Sequence, residues 1–476
     1  MDEQQGQKVH AAVGATWPDG VLPSLAGLVE IPALSPAFDA DWAASGHLQA
    51  AVDHVRDWIA TRDLPGARCE IVRLDGRSPL LLVDVPATSG RDDAGTVLLY
   101  GHLDKQPAQG TWSDGLGPWQ AVVADGRLYG RGAVDDGYSG YAATTALEAV
   151  HAAGGAHARA VILLETGEES GSPDLPAYMD VLGNTLGDVT LVVCLDGGGG
   201  DYSRLWLTSS LRGMVHATVT VRVLDAPQHS GLASGIVPSS FRILRVLLDR
   251  VEDPATGEIR LPAMNVAIPA ASAADARAAA AARPGAVRRL YPLVEGMRPT
   301  SDDEAELILR NTWRPTLSVI GAAGLPDPAD AGNVLRASTT LALSFRLPPT
   351  ADAKAGLAEL EQALTTDVPY GAQVELTDLQ AENGWSTPAL APWLAAALDE
   401  VGAQVFGQPH GNVGVGGSVP FMELLGRLYP RAQFVVTGAL GTDSNMHVPD
   451  EWLNIGFAMQ VTEAVAHVLD AHARTA

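Results

Sequence analysis

The chain has 476 residues, 46 % of them hydrophobic, with 56 acidic against 31 basic side chains and a formal net charge of −25. That length is too great for one core and implies two or three domains. The acidic excess argues against nucleic acid or an anionic membrane surface as partner, and no apolar run is long enough to span a bilayer.

The N-terminal segment MDEQQGQKVHAAV is polar and acidic, without the basic start and apolar stretch of a signal peptide, so a cytoplasmic location is expected. The two cysteines, Cys69 and Cys194, fall in strand-like contexts and read as small buried hydrophobes rather than a disulfide framework.

Residues 46–62 carry Leu48, Val52, Val55 and Ile59 at helical spacing, which predicts an amphipathic helix. Strand-like runs follow at 69–72 and 80–85. TVLLYGH, residues 96–102, is a continuous apolar run of the kind that fills a buried strand, and it ends on His102. If the strand continued, alternation would place His102 and Asp104 on one side, with Asp104 accepting the proton of the second ring nitrogen. A helix is expected from about Asp136 through TTALEAVHAA, a strand at 159–164, a helix at 175–186 and a strand at 189–195. Strands alternating with helices, with polar residues just past the strand ends, predict an α/β fold with its site at the carboxyl ends of the strands.

After Gly200 the pattern changes. Residues 205–225 are rich in Val and Thr and alternate as an antiparallel strand does. A helix is expected at 241–251, an Ala-rich surface helix at 271–283, a strand at 339–347, a helix at 353–364 and a strand at 373–377. This α+β stretch reads as an inserted domain. The expected division is 1–208 and 381–476 for the catalytic domain, and 209–380 for the insertion.

Five metal-competent residues stand in distinctive local frames: His102 in GHLDKQP, Asp135 in LYGRGAVDDG, Glu169 in ETGEESGS, Asp196 in VVCLDGG and His447 in GTDSNMHVPD. Taken singly, each is ordinary: a strand-end His is usually a surface or core residue, and Asp in a Gly-rich turn is usually turn chemistry. Their weight lies in their order and their common placement beside strand ends. Two histidines with three carboxylates suit a pair of divalent first-row ions sharing one carboxylate. Glu168, next to a ligand, stands where a general base would act on water, and the set points to amide hydrolysis.

These segments, with LTSSLRG, QHSG and GGSVP, resemble the M20 family of metallopeptidases, and within it the cytosolic non-specific dipeptidases and carnosinases. The resemblance runs from about residue 96 to 447. It implies a zinc-exopeptidase-like catalytic domain, whose mixed, largely parallel sheet is flanked by helices, and an inserted α+β lid and dimerisation domain. It implies two divalent ions per chain, zinc in the first place, with manganese or cobalt as alternatives. Asp135 would bridge them, His102 and Asp196 completing one position and His447 and Glu169 the other. Glu168 would be the base and Asp104 its support. His229 would reach the partner subunit's site in a homodimer. Arg346 would grip the substrate carboxylate, and Asn333, Gly416, Gly417 and Ser418 would contact substrate.

The expected function is hydrolysis of dipeptides or small peptides. An N-acyl-amino-acid deacylase of the aminoacylase or desuccinylase kind is the alternative on the same scaffold, and a catalytically silent binding protein the remote one. Two departures from the family pattern bear on the substrate: Asp136-Gly137-Tyr138 follows the bridging Asp, and Gly414-Val415 stands where a charged pair is common. The segment 211–223 is expected at a sheet edge, where it could pair across a two-fold axis.

Overall fold

The computed structural model describes residues 1–417, 419–441 and 443–475. The chain forms two compact units. One comprises Met1–Ser209, Thr387–Val413 and Leu424–Ala476; the other comprises Ser210–Ser386 and Gly414–Glu423.

The first unit is built on a six-stranded sheet in the order Arg68–Val72, Leu80–Val85, Arg159–Glu165, Thr96–His102, Val189–Cys194, Gln433–Val436. The last four run parallel, and Leu80–Val85 is antiparallel to Arg159–Glu165. Every residue of Thr96–His102 is buried, as its unbroken apolar run demands. On one face Leu81, Val83, Val97, Leu99, Ile162, Leu164, Leu191 and Val193 share a core with the helices Glu3–Thr16, Leu22–Val29, His47–Ala60, Ser139–Ala152 and Ile455–Ala473. Burying a Leu, Ile or Val side chain contributes roughly 1.5–3 kcal/mol, so this layer supplies much of the unit's stability.

The polar N-terminal segment forms a helix for a local reason. The Asp2 side chain accepts from the Gln5 amide, and the Gln5 side chain accepts from the Asp2 amide, closing a capping box. The helix expected near Asp136 begins instead at Ser139. An irregular turn over Ala133–Gly137 precedes it, held by the Ser139 hydroxyl donating to the Asp136 carbonyl at 2.8 Å.

The second unit contains a four-stranded antiparallel sheet in the order Thr316–Ala323, Ser338–Leu347, Gly213–Arg222, Gln373–Glu382. Val215, Ala217, Val219 and Val221 alternate onto one face and pack with Ile243, Leu244 and Leu247 of helix Ser240–Val251 and Leu360 and Leu364 of helix Ala353–Thr365. The expectation of an edge strand at 211–223 is therefore corrected. Gly213–Arg222 is paired on both sides, and the edges are Thr316–Ala323 and Gln373–Glu382. Alternation reports a one-sided strand but not its rank in the sheet, because edge and centre share the same period. Cys69 is only partly buried, unlike Cys194. Among the described residues no helix is long and apolar enough to cross a membrane.

Candidate metal centre

The parallel strands deliver their carboxyl ends to one place. His102 is the last residue of its strand, Glu168 and Glu169 form a short turn after Arg159–Glu165, and Asp196 lies two residues past Val189–Cys194. His447 comes from the loop after Gln433–Val436.

Asp135 lies between the two histidines. Its Oδ1 is 3.3 Å from His102 Nε2, and its Oδ2 is 2.8 Å from His447 Nε2. Glu169 Oε2 is 3.3 Å from His447 Nε2, while Asp196 Oδ2 and Glu168 Oε2 are each 4.0 Å from His102 Nε2. Two triads offer ligand atoms within 4.8 Å of one another: His102, Asp135 and Glu169, and His102, Glu168 and Asp196. All five expected ligands, and Glu168 with them, are thus brought together.

Local bonds aim these groups. His102 Nδ1 faces the Asp104 carbonyl at 3.1 Å and the Asp104 carboxylate at 3.5 Å. A carbonyl can only accept, so Nδ1 carries a hydrogen, and in the neutral imidazole Nε2 turns its lone pair toward the cluster. The Asp104 carboxylate is mainly engaged elsewhere, accepting the amides of Glu168 at 3.2 Å and Glu169 at 3.0 Å. It steadies the Glu turn more than the imidazole, because the chain leaves strand geometry at His102 and the expected alternation stops there.

Asp136, joined to Asp135 by a cis peptide bond, accepts the His102 amide at 3.2 Å. Gly101 permits this approach: a Cβ there would run into Ser139 Oγ and lie 2.7 Å from Asp136 Oδ2. Gln106 donates to Glu169 Oε2 at 2.7 Å. Neither the contact of Gln106 with Glu169 nor that of Asp136 with His102 was foreseen from the sequence, although both residues lie inside the distinctive segments.

The donor set fits divalent cations. Burial pushes the carboxyls of Glu168, Glu169 and Asp196 above their ordinary range, and neighbouring carboxylates add to the shift. Burial disfavours a charged His447, yet Asp135 and Glu169 outweigh it and raise the imidazole to about 10. The same balance, with Asp104 and Asp135, holds His102 well above its ordinary value. Asp135 itself is held low: burial opposes its charge, but the two histidines prevail. A buried crowd of carboxylates that draws protons onto its histidines calls for positive charge. Glu169 Oε1 is also buried without a hydrogen-bond partner among the described residues. Nitrogen and oxygen donors of this kind suit first-row divalent ions.

The remaining expected residues belong to the second unit. His229 is exposed, and its Nδ1 accepts the Gly231 amide at 3.1 Å, a local capping role. Asn333 is exposed too, its carbonyl accepting the Ser230 amide at 2.9 Å, which sets it beside His229. Arg346 stands in Ser338–Leu347, opposite Thr316 and Met214. The carbonyls of Gly416 and Gly417 accept from Arg212, at 2.9 Å through Nε and 3.0 Å through the amide. Burial lowers the Arg212 guanidinium to about 10, with nearby Arg346 adding to it. Arg212 was legible only as part of LTSSLRG. Ser418 lies outside the described residues.

A largely parallel α/β sheet with histidines and carboxylates gathered at its strand ends is the arrangement of a metallohydrolase. The chain matches the model of peptidase family M20/M25/M40 over residues 98–471, and it belongs to that family. M20 metallopeptidases use divalent metals, and the chain is an enzyme of that kind. A cysteinylglycine-S-conjugate dipeptidase of Corynebacterium striatum is 28 % identical over 366 residues, 75 % of this chain and 77 % of the relative. Human carnosine dipeptidase 1 has the same fold, with a TM-score of 0.72 at 22 % identity, over 98 % of this chain and 99 % of that one. So does an M20 metallo-carboxypeptidase of Sulfolobus solfataricus, with a TM-score of 0.77 at 18 % identity, over 96 % of this chain and all of that one.

Proposed function

We propose that the chain hydrolyses the amide bond of dipeptides or small peptides with two divalent ions, zinc in the first place, and Glu168 as base. The carrying observation is Asp135, with one carboxylate oxygen facing each histidine. His102 and Asp196 would hold one ion, His447 and Glu169 the other, and Asp135 both. Bound there, such ions polarise the scissile carbonyl and make water easier to deprotonate.

Glu168 takes a proton from water and returns it to the leaving amine. Its raised affinity for protons, caused first by burial, suits that exchange. The Asp104 carboxylate keeps the Glu168 turn in place. Arg346 is assigned the substrate carboxylate, for which a guanidinium fork is well shaped. Asn333, Gly417 and Ser418 are assigned further substrate contacts. Asp rather than Glu at 196 supports a dipeptidase, as do the dipeptidase relatives. The unpaired cysteines support a reducing, cytoplasmic setting.

A panel of dipeptides and N-acetyl-amino acids, run with zinc, manganese and cobalt and after chelation, tests this reading. Dipeptides should be cleaved, activity should vanish with the chelator and return with metal. Faster turnover of N-acetyl-amino acids, or activity untouched by chelation, would overturn it.

The reading includes a homodimer in which His229 serves the partner's site, supported by its exposure and its position beside Asn333. Mixing inactive His229→Ala with inactive Glu168→Gln should restore part of the activity, since a heterodimer holds one site with both residues intact. If mass measurement confirms subunit exchange and no activity returns, His229 does not act across the interface.

A further inference from the structure

We infer that the buried pair Arg131–Glu451 couples the loop bearing Asp135 to the loop bearing His447, and that the ion position at His447 and Glu169 depends on this strut. The inference rests on the two-ion reading above.

The His447 loop needs support. Asn445, His447 and Asp450 have φ values of 56°, 64° and 62°, a left-handed region that residues with a Cβ occupy at a cost. Such residues persist where their surroundings hold them. The His447 side chain is itself 44 % exposed, so close packing does not fix it.

The support comes from Glu451, which is fully buried. Its Oε1 accepts the amides of Gly132 at 2.9 Å, Val134 at 3.3 Å and Asp135 at 3.4 Å. Its Oε2 pairs with Arg131 Nη1. Arg131 Nη2 reaches back to the Val448 carbonyl at 3.1 Å, one residue past His447. The backbone adds a bond from the Gly130 amide to the Glu451 carbonyl at 3.0 Å.

Each loop therefore holds the other by a side chain that ends on the backbone beside a ligand. The pair is neutral, so it steadies a crowded acidic site without adding net charge to it. A buried ion pair is a weak source of stability by itself. One whose bonds end at Asp135 and Val448 sets the distance between Asp135 and His447. Residues that orient ligands in this way typically govern metal affinity by 10–100-fold.

The test is metal titration of the metal-free full-length protein with zinc against a chromophoric chelator, and with cobalt by its visible spectrum. Wild type should take two ions. Glu451→Gln keeps the shape and an acceptor but loses the charge. It should retain one ion within about threefold of its wild-type affinity and weaken the other by about 10–100-fold. Arg131→Lys keeps the charge but loses the fork, and should weaken the same ion. In a His447→Ala background, Glu451→Gln should leave the remaining ion unchanged, since the two changes act on one position. Unchanged affinities in Glu451→Gln, or equal loss of both ions, would overturn the coupling. If Glu451→Gln does not fold, Arg131→Lys decides: selective weakening of one ion supports the strut, and two unaltered ions refute it. A wild type that takes fewer than two ions refutes the two-ion reading itself, an outcome visible before any variant is compared.

Discussion

Glu168→Gln should bind two ions per chain and lose at least about a thousandfold in kcat. General acid–base transfer contributes about 10²–10⁴, and glutamine, with no basic oxygen, forfeits it. The substitution is nearly isosteric. The carboxylate has no hydrogen bond among the described interactions, and the residue's amide, which Asp104 holds, is retained. Its charge attracts His102 and repels Asp196, so the two electrostatic effects of the substitution oppose one another. The informative measurement is ion content beside kcat. His102, Glu168 and Asp196 sit close enough to form a ligand triad of their own. Loss of one ion in Glu168→Gln would show Glu168 to be a ligand, and near-normal kcat would remove it as base.

Much of the site was legible because its residues follow strands whose hydrophobic runs are unmistakable. His102 closes TVLLYGH, and Asp196 follows VVCL. A buried parallel strand has to be apolar along its length, so the first polar residue after it marks the site edge. What stayed hidden depends on contacts between distant segments. Nothing in VPDEW distinguishes Glu451 from a surface carboxylate, yet it meets the amides of Gly132 and Asp135 more than three hundred positions earlier, at separations of 319 and 316. The role of Asp104 shifted for a similar reason. Strand alternation directs it at His102, and its carboxylate does lie 3.5 Å from His102 Nδ1, but it also accepts the Glu168 and Glu169 amides, which alternation does not foretell. The rank of Gly213–Arg222 in its sheet was hidden too, since period-two burial is the same for a central strand with one covered face and for an edge.

Asp135→Ala should abolish paired metal binding and lower activity by at least about a thousandfold, a loss of roughly 4 kcal/mol of transition-state stabilisation. Asp135 approaches both histidines to 3.3 Å or less, through different oxygens. Without it, the same positive charge faces one carboxylate fewer, in a buried setting where Coulomb terms are poorly screened. The fold should survive. The bond from the Asp135 amide to Glu451 is backbone and is untouched. Asp135→Asn is the control for shape, since it keeps the volume and removes only the charge; it too should fail to hold two ions. A second readout is thermal. A ligand present at a hundred times its dissociation constant stabilises by about 2.7 kcal/mol, so zinc should raise the wild-type midpoint. The increment, measured for each variant from its own metal-free midpoint, should shrink by at least half in both; those metal-free midpoints should fall below that of wild type, because each variant loses the carboxylate that pairs with His102 and His447. Two tightly held ions in Asp135→Ala, or an undiminished thermal shift with zinc, would mean that each ion is held independently and that Asp135 does not join them.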